Sequence, residues 1–259
     1  MRPYYDNGQQ VIYHGDCREV LPQLESTGVV VTDPPYSDHV HGKSRRGGSD
    51  AGDLCSGAGY QPDCSFSRVR ELGFESMSEE LRAFVASEIA RLVKRWSLVF
   101  SDVESCYLWR HALTGAGLDY VRTGLWRKLG ATPQFTGDRP GAGFEVVTIA
   151  HPKGRKRWNG GGKHAVWEHP IVLNRSHCDP RVHTTQKPLT LMMELIALFS
   201  DDGDSVLDPF MGSGTTLIAA KSFDRPAIGI EREERYCEVA AKRLRNTTPN
   251  MFAEAAINA

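Results

Sequence analysis

Between positions 206 and 231 the chain spells out strand, glycine loop, helix and strand, and few folds admit that series. Val206-Leu207-Asp208-Pro209-Phe210-Met211-Gly212-Ser213-Gly214-Thr215-Thr216 begins apolar, turns through two glycines and continues into residues suited to a helix. Glycine permits a tight turn and close backbone approach, and the helix N-terminus that follows favours an anionic group. Ala227-Ile228-Gly229-Ile230-Glu231 then reads as a second strand, ending in an acid seventeen positions beyond Gly214. An acid at that distance suits hydrogen bonding to ribose hydroxyls. A nucleoside triphosphate site competes with this reading, but no Lys follows the glycines as a phosphate-binding loop requires. A dinucleotide site competes too, yet its glycine loop belongs behind an early N-terminal strand, and this loop comes late.

A second strand-ending loop lies far upstream. The apolar run Val29-Val30-Val31-Thr32 leads into Asp33-Pro34-Pro35-Tyr36: a carboxylate, two rigid turn-forming prolines and an aromatic plate. That set can hold a flat heterocycle bearing an amino group. Asp33 accepts one N–H, the Pro34 carbonyl accepts the other, and Tyr36 stacks on the ring. The amino nitrogen of adenine or cytosine is a poor nucleophile because its lone pair is delocalised. Two acceptors on its hydrogens draw it toward tetrahedral geometry and free that pair. The plain alternative is an ordinary Pro-Pro turn at a strand end.

The two loops together, in this order, resemble the amino-directed DNA methyltransferases that use S-adenosylmethionine, in the permuted arrangement called the beta class. The likeness runs from Val11 to about Leu244. It includes Gly15-Asp16-Cys17 before the first loop, Thr185-Gln186-Lys187-Pro188 before the second half, and Trp126-Arg127-Lys128 with Pro133, which is similar to the family's segment beside a flipped base. The resemblance implies S-adenosylmethionine as cofactor and double-stranded DNA as partner. It also implies catalytic roles for Asp33, Pro34 and Tyr36. On the cofactor it sets Asp16 at the adenine, Glu231 at the ribose and Lys187 with residues 212–216 at the methionine end, with Asp33, Asp208 and Phe210 completing the set. Asp in the first motif position favours adenine N6 over cytosine N4, where Ser is usual. Cytosine-C5 methylation uses a Cys nucleophile, commonly behind Pro, and none of the 14 prolines precedes a Cys. Protein-glutamine methyltransferases begin the motif with Asn and carry the cofactor loop first. A non-catalytic DNA-binding protein retaining the fold is the alternative from another class.

A net charge of -1 argues at first against nucleic acid, but the distribution is uneven. Between His151 and Lys187 eight basic residues face only Glu168 and Asp179, a local excess of six, with Trp158 and Trp167 interleaved. Basic residues supply phosphate contacts and aromatics stack on bases. Lys128, Arg155, Lys156, Arg157, Lys163 and Arg175 are therefore the expected DNA contacts, against a solvated loop around Gly160-Gly161-Gly162. The six cysteines are scattered, as suits a reducing compartment, and His39, His41, Cys55 and Cys64 do not match a tight zinc pattern, so no metal is expected. No run of eighteen apolar residues and no signal-peptide pattern is present, so the expectation is a cytoplasmic protein of prokaryotic or phage origin, off the membrane. A homodimer is compatible with the sequence, and any restriction endonuclease partner would be a separate chain.

Periodicity fills in the rest. Residues 11–14, 29–32 and 97–101 read as strands, and residues 118–128 and 144–151 as an antiparallel pair. A helical turn is expected at 17–24 and helices at 104–114 and after Pro188. Ser76 with Glu79 suggests a capping box ahead of a helix carrying Leu81, Val85, Ile89, Leu92 and Trp96 inward. Tyr236, Val239, Ala240 and Leu244 mark the inner face of a closing helix. The Gly- and Ser-rich residues 37–65, with Lys43, Arg45 and Arg46, suggest a loop over the site, with disorder as the alternative. The prediction is an α/β protein with a mostly parallel, doubly wound, Rossmann-like sheet and an antiparallel strand pair at the end of its catalytic half. Residues 1–150 form that catalytic half, 151–184 an inserted basic target-recognition region, 185–247 the cofactor half, and 248–259 a tail.

Overall fold

Val29, Val30 and Val31 are all fully buried, a continuous apolar run expected of a strand covered on both faces. The computed structural model of the chain describes residues 1–36, 77–131, 138–172 and 186–248. Its strands are β1 (Tyr5–Asp6), β2 (Gln10–His14), β3 (Val29–Thr32), β4 (Ser97–Ser101), β5 (Asp119–Leu129), β6 (Phe144–His151), β7 (Val166–Pro170), β8 (Val206–Asp208) and β9 (Ala227–Glu231). The helices are α1 (Cys17–Val20), α2 (Glu79–Leu92), α3 (Val103–Gly115), α4 (Leu189–Phe199), α5 (Thr215–Ser222) and α6 (Glu234–Asn246), with a single 3-10 turn at Leu21–Gln23.

These strands form one sheet in the order β1-β2-β9-β8-β3-β4-β6-β5-β7. From β2 through β4 every neighbouring pair is parallel. β6 runs antiparallel to both β4 and β5, which is the expected strand pair. Alternation along the strands feeds two separate cores. Val29, Val31, Leu98 and Phe100 pack with α4, α5 and α6 on one face, while Val30 and Val99 pack with α1, α2 and α3 on the other. The result is the doubly wound three-layer arrangement.

Three sequence expectations are corrected. Residues 151–184 are not wholly an insertion, because Val166–Pro170 joins the sheet edge parallel to β5. Its short alternating pattern, with Trp167 and His169 buried, is hidden among the charges and glycines around it. The cap of α2 is Ser78, whose hydroxyl accepts from Leu81 N at 3.1 Å, and not Ser76. Two acids in the first turn, Glu79 and Glu80, complement the helix dipole there. On α6 the buried residues are Cys237, Ala240, Ala241 and Leu244, whereas Tyr236 and Val239 are half-buried at its flanks. Ser76, the loop at 37–65 with the four zinc candidates, Pro133, Arg175, Arg181, Thr185 and positions 249–259 of the tail lie outside the described residues.

Trp109 on α3 is 1% exposed and lies in the α2–α3 core, with the Arg82 guanidinium 5.9 Å from its ring. Trp109→Ala should cost about 3–5 kcal/mol, because surrounding helices cannot fully close a cavity of that size. Urea titration should show a lower midpoint at an unchanged slope. A midpoint equal to the parent's would contradict this packing.

Candidate functional site

Parallel strands deliver their C-terminal ends to one edge of a sheet, where ligands bind in folds of this kind. β3 and β8 are adjacent, so the loops beginning at Asp33 and Asp208 emerge side by side. Asp208 ties them together. Its Oδ1 accepts from the Thr32 hydroxyl at 2.7 Å and from Phe210 N at 3.1 Å, and its Oδ2 accepts from the Thr216 hydroxyl at 2.6 Å. At 3% exposure both oxygens are engaged with protein, and Asp208 shapes the loop. Burial raises its carboxyl to about 6, against the pull of those hydrogen bonds.

The glycine loop has a closed side and an open side. Gly214 adopts φ 79°, and a Cβ there would stand 2.7 Å from the Ala240 Cβ on α6. Gly212 adopts φ 52°, and a Cβ there would meet nothing within 4 Å. From α6, Arg243 donates to the Ser213 carbonyl at 2.7 Å and to the hydroxyls of Ser213 and Thr215 at 3.1 and 3.2 Å. Glu231, 8% exposed at the end of β9, accepts from Gly212 N at 3.0 Å and from Glu233 N at 2.7 Å. Arg232 N donates to this carboxylate too, and its remaining lone-pair capacity can take a hydroxyl. Asp16 caps α1 through Arg18 N at 2.8 Å and pairs with the Arg18 guanidinium at 2.6 Å. It follows Gly15, whose N–H donates to the Glu231 carbonyl, so Asp16 and Glu231 share this edge. Open space at Gly212, an acid beside it and the α5 N-terminus behind it fit a nucleoside-bearing cofactor.

Asp33 and Tyr36 meet residues that come from the other half of the sheet. The Lys187 ammonium donates to Asp33 Oδ2 and lies 3.0 Å from Glu145 Oε2. The Tyr36 hydroxyl donates to that same Glu145 oxygen at 2.8 Å, and Lys128 holds Glu145 Oε1 at 2.7 Å. Lys187 also stands 5.6 Å from the Tyr36 ring and 5.2 Å from the Phe100 ring, within cation–π range of both. Burial disfavours the Lys187 charge, but Asp33 and Glu145 outweigh it and hold its pKa above the ordinary lysine value. Burial likewise pushes Glu145 upward, but Lys187 and Lys128 prevail and hold it at about 2. Asp33 is raised, chiefly by burial, with Lys187 opposing and Glu145 adding to the rise. Its Oδ1 is buried and lacks a hydrogen-bond partner among the described residues.

Sequence reasoning assigned Lys187 to the cofactor's methionine end, whereas here its ammonium is on the catalytic motif. It missed Glu145 and Phe100. The available signal was strand phase: Glu145 shares a face with Val147 and Ile149, an acid at an inward position of an apolar strand.

The basic segment is elsewhere. Trp96 Nε1 donates to the Arg157 carbonyl, Lys156 pairs with Asp119 at the start of β5, and Arg157 pairs with Asp201 beyond the end of α4. These are the N-terminal ends of the parallel strands, roughly 13 Å along β4 from the level of Asp33. Arg155, Lys156 and Arg157 are thus on the opposite edge of the sheet, two of them already paired with acids. Lys163 is 4.0 Å from Glu194, and Lys128 is taken up by Glu145.

Asp208 makes a pH prediction. A folded carboxyl at about 6, against 3.8 in the unfolded chain, stabilises the fold fully below 3.8 and loses that contribution as pH rises through 6. Asp208→Asn cannot titrate. The stability gap between parent and variant should therefore widen by about 2 kcal/mol from pH 7.5 to pH 4.5. A gap independent of pH, measured by urea titration, would contradict the buried carboxyl.

Comparison with known proteins agrees with this geometry. Residues 28–242 match a family model described as DNA methylase, of the N6/N4 type. The type II methyltransferase M.HinfI of Haemophilus influenzae is 30% identical over 92% of this chain and 69% of its own length. The type II methyltransferase M2.DpnII of Streptococcus pneumoniae is 27% identical, covering 94% of this chain and 92% of its own. Among solved structures, an M1.HpyAVI–SAM complex superposes with a TM-score of 0.66 at 25% identity, over 91% of this chain and 98% of that one. The matched span takes in most of the chain, and the chain belongs to the N6/N4 DNA methylase family.

Proposed function

We propose that this protein transfers a methyl group from S-adenosylmethionine to the N6 amino group of adenine in double-stranded DNA, at a specific site. The observation that carries the reading is Asp33: a carboxylate gripped on Oδ2 by Lys187, with a buried and unpartnered Oδ1, at the end of a central strand beside the Gly212 loop. A carboxylate held by one oxygen presents the other as a fixed acceptor for an amine. Asp in that position, where cytosine enzymes of the family usually have Ser, favours adenine over cytosine N4.

S-adenosylmethionine supplies an electrophilic methyl on a sulfonium; the remaining work falls to the protein. Glu231, Asp16 and the 212–216 loop hold the nucleoside and amino-acid ends. The target base leaves the stack, at about a few kcal/mol, to reach the strand-end edge. Asp33 Oδ1 and the Pro34 carbonyl take its two amino hydrogens, and Tyr36 covers its ring. Alignment of amine and methyl supplies much of the rate. Asp33 stabilises the positive charge that grows on nitrogen, and the proton is lost afterwards.

DNA delivering a base to Asp33 must lie along the strand-end edge. That edge carries the end of β5 and the start of β6, where Arg127 and Arg139 are both largely exposed, each paired with an exposed acid, Glu168 and Asp138, that a phosphate can displace. Residues 155–157 lie at the other end of the strands, so the DNA contact moves from them to Arg127 and Arg139. The enzyme would work in the cytoplasm, where its DNA is; among the described residues no helix is long and apolar enough to cross a membrane. Two protein molecules could serve the two strands of a site, and a separate endonuclease would complete a restriction pair of the kind the relatives' type II names imply.

Single-molecule sequencing of DNA treated with the purified protein and S-adenosylmethionine should report N6-methyladenine at one recurrent sequence. N4-methylcytosine would overturn the adenine assignment. Asp33→Ala should lose methyl transfer by at least about 10²-fold with cofactor affinity retained. Replacing Arg127 and Arg139 should flatten the salt dependence of DNA binding by about 0.9 per lost phosphate contact, while replacing Arg155, Lys156 and Arg157 should leave the slope unchanged. The reverse pattern would return the DNA face to residues 155–157.

A further inference from the structure

Among the described residues Glu145 is the acid in the site that no motif accounts for, and three functional groups converge on it. Its Oε2 receives the Tyr36 hydroxyl at 2.8 Å and the Lys187 ammonium at 3.0 Å, while Oε1 receives Lys128 at 2.7 Å. It is only 15% exposed, and it is fixed by the β-ladder, where its backbone pairs with Trp126 of β5. We infer that Glu145 is a positioning residue for methyl transfer: it fixes where the Tyr36 ring stands and fixes Lys187 so that Asp33 offers Oδ1, and only Oδ1, to the incoming amine.

Two constraints follow from that placement. A tyrosine ring swings about its Cα–Cβ bond unless its far end is tied. The bond to Glu145 ties it, so the Tyr36 hydroxyl matters as well as the ring. Lys187 can donate three hydrogen bonds. With Glu145 on one side and Asp33 on the other, its ammonium is fixed between two acids and two aromatic rings. Without Glu145 the ammonium is free to slide across the Asp33 carboxylate and cover Oδ1. The charges also balance: Asp33 and Glu145 against Lys187 and Lys128. Removing Glu145 leaves a net positive cluster facing a nitrogen that becomes positive during transfer.

The inference rests on the amino-methyltransferase reading and holds for adenine or cytosine alike. Its test compares single-turnover methyl transfer, S-adenosylmethionine affinity and pH dependence in the parent, Glu145→Gln, Glu145→Ala, Tyr36→Phe and the Glu145→Ala/Tyr36→Phe pair. Glu145→Ala should slow transfer by about 10²-fold, the scale of a misplaced reacting group, with cofactor affinity unchanged. Glu145→Gln, which keeps an acceptor for Tyr36, should lose less. Tyr36→Phe should slow the parent but add little to Glu145→Ala, because both remove the same tie. The charged groups facing Asp33 are Lys187, Glu145 and, from β8, Asp208, with the Tyr36 hydroxyl beside them and Lys128 on the far side of Glu145. Glu145 is the neighbour that raises Asp33, so in Glu145→Gln the acid limb of the rate profile should move to lower pH. Parent-like transfer in Glu145→Ala would overturn the inference, as would additive effects of the two substitutions or an unmoved acid limb. A parent enzyme that leaves DNA unmethylated would instead overturn the activity itself.

Discussion

A single buried carboxylate joins the two halves of this chain. Asp208 receives the hydroxyl of Thr32 from 176 positions upstream and the hydroxyl of Thr216 from the helix that follows its own loop. Through those two bonds the end of β3, where the target base is to be held, is fixed to the loop where the cofactor is to be held. Methyl transfer is a problem of alignment, and an error of about 1 Å costs on the order of 10²-fold. Mounting both loops on adjacent parallel strands and pinning them with one acid confines that error to side-chain motion. Burying Asp208 has a cost, visible in its raised pKa, and the rigidity of the loop offsets it.

Around this pin the site is built from compensated charge. Lys187 is 7% exposed and would be expensive to bury alone, yet it sits between Asp33 and Glu145 and against the faces of Tyr36 and Phe100. Such a cluster has little freedom to rearrange. It therefore holds Asp33 in one orientation before any substrate arrives, and that is how preorganised electrostatics lowers a barrier.

Much of this was readable in the sequence because the two motifs sit where local chemistry dictates backbone shape. Gly212 and Gly214 adopt left-handed angles that other residues resist, and the β-branched run Val29 to Val31 suits a strand covered on both faces. What escaped depends on contacts across the sheet. Glu145 gains its meaning from Tyr36, 109 positions away, and from Lys187 on a different element. Charge counting gathered eight basic residues into one patch, Lys153, Arg155, Lys156, Arg157 and Lys163 among them, but β6 runs downward and β7 upward, and these five sit on a stretch that turns at the edge far from Asp33. Composition records how many charges a segment carries. Strand direction decides which edge they reach.

The central claim is that Asp33 holds the amino group of the target base. A thermodynamic cycle tests it most directly, using a duplex in which purine, lacking the amine, replaces the target adenine. DNA affinity is measured for parent and Asp33→Ala on both duplexes, with a non-reactive analogue of the cofactor present. The account predicts that removing the amine weakens binding by the parent but not by the variant, with a coupling of about 1–3 kcal/mol between the two changes. Independent, additive losses would contradict it.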